Sequence, residues 1–386
     1  MSKKGIFCCI LFMLLNWSCH EKDTLFPVLS VNISSELKIL NGDSLFDWVE
    51  YIPLETTKSN LFSVERKTLV CGDTLYLCDK DQEEIFQYDI EGNYIKKLSA
   101  RGNGPGEYLS ISDFIIEDSL LMVLSSQNRK LYFYTIDDFR FVRAIPLPVN
   151  MMRMRYDDGL VYLYSGNFSS ELYNMYVLDI TTNKIVSRYK NFDKKYAVFF
   201  YARKIFNMSD EHNYYFEPYD YHIYEAMPED DSVVLRLDFG KENMLGESFM
   251  KKSPKSRSVY IKEKYSGPQE VPIFSIDDLY YSDSLLFFTF VHGVMPYWYI
   301  RHGNVTYTGY IVSSERFPLL TPHVSYIDEN YIYELVYPET ILERVEYCQE
   351  NGKAHMVAQI PEWLIAGIKF DDNPVLCRYK LKKRGL

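Results

Sequence analysis

The chain has 386 residues, with 42 Lys and Arg side chains against 53 Asp and Glu, and a net charge of −11. Because such a surface repels phosphate groups, this composition argues against nucleic acid as a partner and against electrostatic binding to anionic lipid. Aromatic residues make up 16% of the chain, and 34 residues are tyrosines. Such a content is typical of β-strands that pack face to face, so most of the tyrosines are expected to be structural.

The first residues predict export. A basic start at Lys3 and Lys4 precedes an uncharged stretch at residues 5–15. This stretch is shorter than the roughly 20 residues of a membrane-spanning helix, so residues 1–18 are predicted to be a signal peptide. Cys19 follows directly and is the predicted lipidation site, and cleavage nearby without lipidation is the alternative.

Removal of the signal peptide takes away two basic residues and no acidic one. The mature chain then has 40 basic against 53 acidic side chains, and a net charge of −13. Residues 19–42 are predicted to be a lipid-anchored segment and linker, and residues 43–384 a single domain. The lipid, rather than the protein surface, would hold the protein at the membrane.

Six short acidic turns, each followed at once by an apolar and often aromatic run, set the period of the domain. The runs begin at Thr74, Leu120, Leu160, Tyr214, Leu285 and Tyr331, at intervals of 46, 40, 54, 71 and 46 residues. A strand-like run precedes each turn, and in the first three units a second pair of strands follows. Four antiparallel strands in each of six units predict an all-β fold, a six-bladed β-propeller.

The later units depart from this period because they contain insertions. The polar stretch between residues 240 and 272 is predicted to be a long loop, with a short helix at 244–251. In the sixth unit, residues 339–351 have apolar side chains at helical spacing, so a short helical insertion is predicted in the last blade. Strand-like runs at 45–54 and 374–381 are expected to meet in that blade and to close the ring.

Three segments, in this order, carry a resemblance to a known family: residues 51–57 (YIPLETT), 101–108 (RGNGPGEY) and 372–376 (DNPVL). The chain resembles the six-bladed β-propeller lipoproteins of Bacteroidota, which are NHL/TolB-like proteins, mostly of unassigned function. The resemblance implies the propeller fold and a location in the bacterial cell envelope, and it carries no catalytic residues. The lipid anchor is expected in the outer membrane, with the periplasmic and the surface face both left open.

The glycine-rich segment 102–106 is interpreted as a tight turn between blades. It lacks the Lys-Ser/Thr of a phosphate-binding loop, and no helix follows it. Glu107 and Tyr108 lead from this turn directly into an inner strand, so they are candidates for the mouth of the channel.

Charged residues recur on the inner strands. Aligned by their distance to the acidic turns, four residues share one position: Thr68, Asp113, Arg153 and Asp278. Arg155 lies on the same strand face as Arg153. Charged groups at the axis of a propeller must be paired or hydrated. We predict an ion pair between Arg153 and Asp113 of the adjacent blade. We also hypothesise that Arg153, Arg155 and Arg203 favour a polar or anionic ligand at one mouth.

Histidines and cysteines show no pattern of a metal or catalytic site. His323 is included among the mouth candidates because a propeller can gather distant residues at its axis. No pair has zinc-site spacing and no nucleophile motif occurs, so no catalytic residue, metal or cofactor is predicted. The expected buried free thiols are Cys71, Cys78, Cys348 and Cys377.

These features favour a monomeric, lipid-anchored binding or scaffold module of the cell envelope, with a glycan, a peptide or an envelope protein as its partner. The alternative is a carbohydrate-active enzyme, a lyase or hydrolase, with its site at the channel mouth. A third class is a partner of an outer-membrane transport complex, which should present a flat apolar patch on one face. Converging carboxylates or histidines in one pocket would favour the enzyme.

Overall fold

A computed structural model describes residues 26–33, 39–195, 204–264, 271–312 and 314–382. The strands form six separate sheets whose innermost strands contact one another, so the fold is the predicted six-bladed β-propeller. The N-terminal part supplies four short elements: β1 (Val28–Ser30), β2 (Ile39–Asn41), α1 (Gly42–Leu45) and β3 (Phe46–Pro53). Within the described residues, no helix is both long and apolar enough to cross a membrane.

Blades 1 to 3 each contain four consecutive antiparallel strands, with the innermost strand first. Blade 1 has β4 (Glu65–Cys71), β5 (Thr74–Asp79), β6 (Glu84–Asp89) and β7 (Tyr94–Leu98). Blade 2 has β8 (Asp113–Glu117), β9 (Leu120–Ser125), β10 (Lys130–Thr135) and β11 (Phe141–Pro146). Blade 3 has β12 (Arg153–Asp157), β13 (Leu160–Tyr164), β14 (Tyr173–Asp179) and β15 (Lys184–Asn191).

The acidic turns join the first and second strands of these blades. Gly72, Asp118 and Asp158 have φ values of 57°, 50° and 42°, which lie in the left-handed region that two-residue hairpin turns require. Gly and Asp tolerate this region better than other residues, which explains their recurrence at the turns. Across the first turn, Cys71 pairs with Thr74.

Blades 4 and 5 are separated by the predicted insertion. Blade 4 has β16 (Tyr214–Phe216), β17 (His222–Ala226) and β18 (Asp231–Asp238), the insertion has α2 (Glu247–Met250) and α3 (Pro254–Lys264), and blade 5 has β19 (Ile276–Tyr281), β20 (Leu285–His292), β21 (Met295–His302) and β22 (Val305–Val312). Helix α3, with 11 residues, takes the place of part of the predicted loop. The Ser253 hydroxyl accepts a hydrogen bond from the Ser256 N–H at 3.3 Å and Pro254 takes the first helical position, which together start the helix.

Two strands of the N-terminal segment extend the outer edges of blades 4 and 5. Strand β1 pairs in parallel with β18, and β2 pairs in parallel with β22. The sequence does not predict either strand. At the axis, the predicted inner strand of blade 4, residues 204–208, forms the isolated bridge between Phe206 and Tyr215 instead of a regular strand.

Blade 6 closes the ring, as predicted. Its elements in chain order are β23 (Tyr326–Ile327), β24 (Tyr331–Val336), α4 (Pro338–Glu350), α5 (Ala354–Val357), α6 (Glu362–Gly367) and β25 (Val375–Leu381). Strand β3 from the N-terminal part pairs antiparallel with β25 as the outermost strand. The predicted helical insertion is confirmed, and it extends over three helices rather than one.

Asn373, which lies in the segment 372–376, stabilises the closure of the ring by hydrogen bonds. Its side-chain Nδ2 donates to the carbonyls of Glu55 at 2.8 Å and Asn60 at 3.0 Å, and its Oδ1 accepts from the Phe62 N–H at 2.8 Å. The Thr56 hydroxyl accepts from the Asn373 N–H at 2.8 Å. The segments 51–57 and 372–376 therefore have a structural role, because they join the two ends of the chain.

Aromatic side chains fill the space within and between the blades. The rings of Phe288 and Tyr299 stack with their centroids 4.7 Å apart, and Trp298 is fully buried beside Phe287. Such rings bury large apolar areas with defined geometry, so they supply much of the packing between flat sheets.

Candidate functional site

A cavity of about 150 Å³ lies on the axis, at the end of the channel where the acidic turns are. Blades 1, 2, 3, 4 and 6 contribute to its wall, because each inner strand or segment runs along the axis towards its turn. Its charged lining residues are Lys67, Asp113, Glu117, Arg153, Arg155, Lys204 and Asp210. Several apolar residues share the wall, including Leu69, Ile115, Phe206 and Tyr326.

The carboxylate of Asp113 is paired with Lys67 of blade 1 rather than with Arg153. Lys67 Nζ lies 2.6 Å from Asp113 Oδ1 and also donates to the Phe114 carbonyl at 2.8 Å. The N–H groups of Phe114 and Met154 donate to the same carboxylate, each at 2.9 Å. The predicted Arg153–Asp113 pair is therefore wrong. The reason is geometric, since the carboxylate is already held by a cation and two main-chain donors.

Arg153 instead binds main-chain oxygens. Its Nη1 donates to the carbonyls of Met152 at 2.6 Å and of Ser112 at 3.0 Å. Ser112 precedes Asp113 in blade 2, so Arg153 links blade 3 to blade 2 at the axis. Arg153 lines the cavity, but it contacts main-chain carbonyls rather than the Asp113 carboxylate.

Lys204 holds the other predicted channel aspartate. Its Nζ lies 2.8 Å from Asp278 Oδ1 of blade 5 and donates to the carbonyls of Val324 and Ser325 of blade 6 at 2.8 and 3.0 Å. Asp278 has a φ of 52° and sits at a bulge in β19. Bulges re-aim side chains, and Asp tolerates the left-handed region.

A second acidic group lies at the start of β4, away from the cavity. Nε2 of His323 lies 2.8 Å from Glu65 Oε2, which also accepts from the Ser325 hydroxyl at 2.9 Å. Burial alone would raise the pKa of Glu65, but these bonds and the charge of His323 lower it to about 2. His323, a predicted mouth residue, thus joins blade 6 to blade 1 and does not line the cavity.

Glu334 lies near Glu65, and its pKa is shifted in the opposite direction. Burial raises its pKa to about 8; the nearby negative charge of Glu65 adds to this shift, and the hydrogen bonds from Thr321 oppose it. Two carboxyl groups with pKa values pushed apart are typical of acid–base sites. Here Glu334 is only 2% exposed, and the Glu65 side chain is 9% exposed.

These contacts form an inter-blade polar belt, which we define as Glu65, Lys67, Asp113, Arg153, Lys204, Asp278, His323 and Ser325. Each member touches a neighbouring blade through a charge or a main-chain group. Buried charges that are paired and hydrogen-bonded in this way cost little, whereas removal of one partner is expensive. The belt therefore explains most of the channel charge by structure alone.

Arg155 is the exception. Its Nη1 donates to the Asn207 carbonyl at 2.7 Å, but its nearest carboxylate, that of Asp210, is 3.7 Å from Nη2. Its Nε is buried without a hydrogen-bond partner among the residues that the structure describes. Burial lowers the pKa of Arg155, opposed by Asp210, Asp157 and Glu117.

The rim of the cavity is acidic and carries a thiol. The Asp210 side chain is fully exposed, and burial raises the pKa of Glu117, helped by Asp118 and Asp210. Cys71 is exposed at the rim, which corrects the expectation that all four cysteines are buried, whereas Cys78, Cys348 and Cys377 are buried as expected.

Two further predicted mouth residues lie away from the cavity. Tyr108 is fully buried between blades 1 and 2, where its hydroxyl donates to the Glu83 carbonyl at 3.0 Å. Glu107 accepts a hydrogen bond from the Gly104 N–H at 2.7 Å, so it stays within its own glycine-rich turn. Arg203 and Cys19 lie outside the described residues.

One group among the described residues could hold a metal ion. Ligand atoms of Glu211, His212 and Asp283, from the acidic turns of blades 4 and 5, lie within 4.8 Å of one another. Water can satisfy these groups, because the Asp283 side chain is 94% exposed.

Residues 27–380 match the model of a family described as a domain of unknown function, DUF4934. The chain belongs to this family. A solved structure from Bacteroides fragilis NCTC 9343, of a protein named for its predicted export, is 16% identical; the match covers 92% of this chain and 100% of that chain, with a TM-score of 0.74. A member of the DUF4221 family from Bacteroides vulgatus is 10% identical over 88% and 97% of the two chains, with a TM-score of 0.47. No curated protein matches the sequence.

Lys67 and Lys204 are the functional-site residues that the sequence analysis missed. Lys67 occupies in blade 1 the position that Asp113 occupies in blade 2, since it lies opposite Cys78 as Asp113 lies opposite Leu124. Counting back from the first residue of each apolar run finds it. Lys204 belongs to the inner segment of blade 4, which has no regular strand. Its charge at the start of an apolar run was the available signal.

Proposed function

We propose that this family member is an exported binding module of the bacterial cell envelope, which holds a polar ligand in the axial cavity. The observation that carries the proposal is Arg155, a guanidinium in the cavity wall whose side chain is only 13% exposed and which, among the described residues, has no carboxylate in hydrogen-bond contact. Buried cations in proteins are normally paired, so such a group is a binding-site candidate.

Binding fits the cavity better than acid–base catalysis does. The Asp113 carboxylate is occupied by Lys67 and two main-chain donors, and the Glu65–His323 pair lies outside the cavity wall. Ligand sites of proteins are concave, largely apolar and equipped with a few convergent polar groups. The partner classes considered from the sequence, a glycan, a peptide or an envelope protein, can each present a polar end to such a cavity.

The location in the envelope rests on the N-terminal sequence and on a relative. Export is supported by residues 1–18 and by the structural neighbour named for its predicted export. Lipidation of Cys19, the outer membrane and the relationship to NHL/TolB-like lipoproteins are finer parts of the same proposal. Labelling cells with a fatty-acid analogue tests the anchor, since Cys19→Ala should abolish the label on this protein.

Alkylation of Cys71 tests ligand binding in the cavity. Cys71 lines the cavity and is exposed, whereas Cys78, Cys348 and Cys377 are buried, so a maleimide should modify Cys71 selectively in the folded protein. The reaction is run at alkaline pH, because partial burial of the thiol raises the pKa of Cys71 to about 11 and the thiolate is the reactive form. Oligosaccharides, peptides and organic acids are screened for slower modification. We expect at least one class to protect Cys71.

A matched pair of variants locates the protection. Ile115→Trp places a large ring in the cavity wall, whereas Val142→Trp places the same ring on an outer strand where Val142 is 49% exposed. Protection should be lost in Ile115→Trp and kept in Val142→Trp. Unchanged alkylation with every ligand class would refute the proposed function.

A further inference from the structure

We propose that the ligand of the axial cavity carries a carboxylate on an apolar group, and that Arg155 binds this carboxylate. The inference rests on the function proposed above and names the chemistry of its ligand. A free organic acid and the C-terminus of a peptide both present this chemistry.

The Arg155 guanidinium is positioned by a main-chain oxygen, and among the described residues its nearest carboxylate, that of Asp210, lies beyond hydrogen-bond distance. Its acceptor, the Asn207 carbonyl, belongs to a residue that is only 3% exposed. The Asn207 side chain is fixed in turn, since its Nδ2 donates to the Tyr281 carbonyl and its Oδ1 accepts from the Tyr281 N–H, at 2.9 and 2.7 Å. A guanidinium has five N–H donors, so one main-chain acceptor leaves donors of Arg155 that can bind acidic oxygens. Their planar arrangement matches a carboxylate.

Two other cations of the wall already have acidic partners. Lys67 is paired with Asp113 at 2.6 Å and Lys204 with Asp278 at 2.8 Å. Of Lys67, Lys204 and Arg155, only Arg155 has its nearest carboxylate beyond hydrogen-bond distance, so an incoming carboxylate is directed to this residue rather than to the lysines.

The rest of the wall favours an apolar group on the ligand. Leu69, Ile115 and Tyr326 line the cavity and are partly exposed. Apolar surface at a polar mouth is removed from water when a matching apolar group binds. A fully polar anion such as inorganic phosphate would leave this surface exposed.

Asp210 acts as a weak internal competitor for Arg155. Its carboxylate lies 3.7 Å from Arg155 Nη2, and its side chain is fully exposed. Exposed ion pairs contribute little to stability, so a bound carboxylate can displace Asp210 at small cost. Removal of the Asp210 charge should consequently tighten the binding of an acid.

The experiment compares acids with neutral isosteres by calorimetry on the purified protein. The probes are 4-methylpentanoate and its amide, together with N-acetyl-Ala-Ala-Leu bearing either a free or an amidated C-terminus. Because hydrogen bonds to charged groups are stronger than neutral ones, we expect each amide to bind about 10- to 100-fold more weakly than its acid. Binding by the small acid alone or by both acids identifies the source of the carboxylate.

Three variants assign the effect to Arg155. Arg155→Gln should remove the preference for the acid, and Asp210→Asn should increase the affinity for the acid by about 2- to 5-fold. Arg140→Gln removes an exposed arginine of blade 2 and should change nothing. If Arg155→Gln fails to fold, two measurements still test whether Arg155 binds the carboxylate: the acid-to-amide affinity ratio of the unaltered protein and the affinity change in Asp210→Asn.

The outcomes separate this inference from the proposed function. Equal affinities for acid and amide, with Cys71 protected by both, would overturn the carboxylate and leave cavity binding intact. Acid binding that persists with its full preference in Arg155→Gln would overturn the role of Arg155. Failure of all four probes would overturn the inference, whereas failure of every ligand class to protect Cys71 would overturn the proposed function itself.

Discussion

Replacement of Asp113 by alanine is the perturbation that most strongly tests the inter-blade polar belt. Asp113 is 3% exposed, and its carboxylate accepts from Lys67 and from the N–H groups of Phe114 and Met154. Asp113→Ala leaves the Lys67 ammonium without its counter-ion and two main-chain donors without that acceptor. The variant should therefore be much less stable than its single deleted side chain suggests.

The expected loss in the free energy of unfolding is about 3 kcal/mol, at the lower end of the range for breaking a buried ion pair. The lower end applies because the Lys67 side chain is 20% exposed and its Nζ keeps the Phe114 carbonyl as an acceptor. Equilibrium denaturation followed by circular dichroism measures this loss. Asp73→Ala, at an exposed acidic turn of blade 1, is the matched control and should stay within about 0.5 kcal/mol of the unaltered protein.

A double variant separates the ion pair from the effect of side-chain deletion. Lys67→Met removes the orphaned charge, so the two substitutions together should cost clearly less than the sum of their separate costs. A loss below about 1 kcal/mol for Asp113→Ala, or strict additivity in the double variant, would refute the view that the belt ties blade 1 to blade 2.

Two other perturbations test the remaining buried polar groups. The folded pKa of Glu334 is about 8 against an ordinary value of 4.5, so its contribution to stability is complete below pH 4.5 and is lost as the pH rises to 8. Glu334→Gln should remove this pH-dependent loss of stability. Denaturation curves of both proteins at pH 5 and pH 8.5 measure it, and an equal loss in the two proteins would contradict the assignment. Asn373→Ala should lower the free energy of unfolding by about 3 kcal/mol, because it leaves the Phe62 N–H and buried carbonyls unpaired. Asn93→Ala, at an exposed turn, serves as its control, and equal stabilities of the two variants would show that Asn373 does not fasten the ring.

The sequence predicts those parts of the fold that recur locally. The acidic turns require a left-handed residue, and Asp118 and Asp158 supply it at the expected places. The helix in the last blade is likewise announced by apolar spacing and by Pro338 at its first position. These signals lie within a few residues of the structure that they determine.

Contacts across the axis could not be predicted in the same way. Asp113 lies between blade 1 and blade 3, and its carboxylate contacts Lys67 of the one and the Met154 N–H of the other. Which neighbouring blade supplies the cation depends on the packing of whole blades, which no local pattern reports. Strand β1 pairs in parallel with β18, and Val28 lies opposite Arg236. Strand β1 is short and no turn joins it to β18, so no local sequence pattern predicts this pairing.

In the candidate site, the positions of several residues could be predicted from the sequence, but their partners could not. Alignment to the turns brought Asp113, Arg153 and Arg155 to the cavity wall, because one register repeats from blade to blade. It could not show that the Asp113 carboxylate is neutralised and that the Arg155 charge is not, since that difference depends on side chains of other blades. Glu107 and Tyr108 were misplaced because the strand after the turn begins only at Asp113.

A crystal structure of the protein grown with 4-methylpentanoate shows whether Arg155 binds a carboxylate in the axial cavity. We expect the acid in this cavity, with its carboxylate in hydrogen-bond contact with the Arg155 guanidinium, its branched end against Leu69 and Ile115, and Asp210 turned away. An acid bound at another surface, or bound in the cavity with its carboxylate directed away from Arg155, would show that Arg155 is not the carboxylate site.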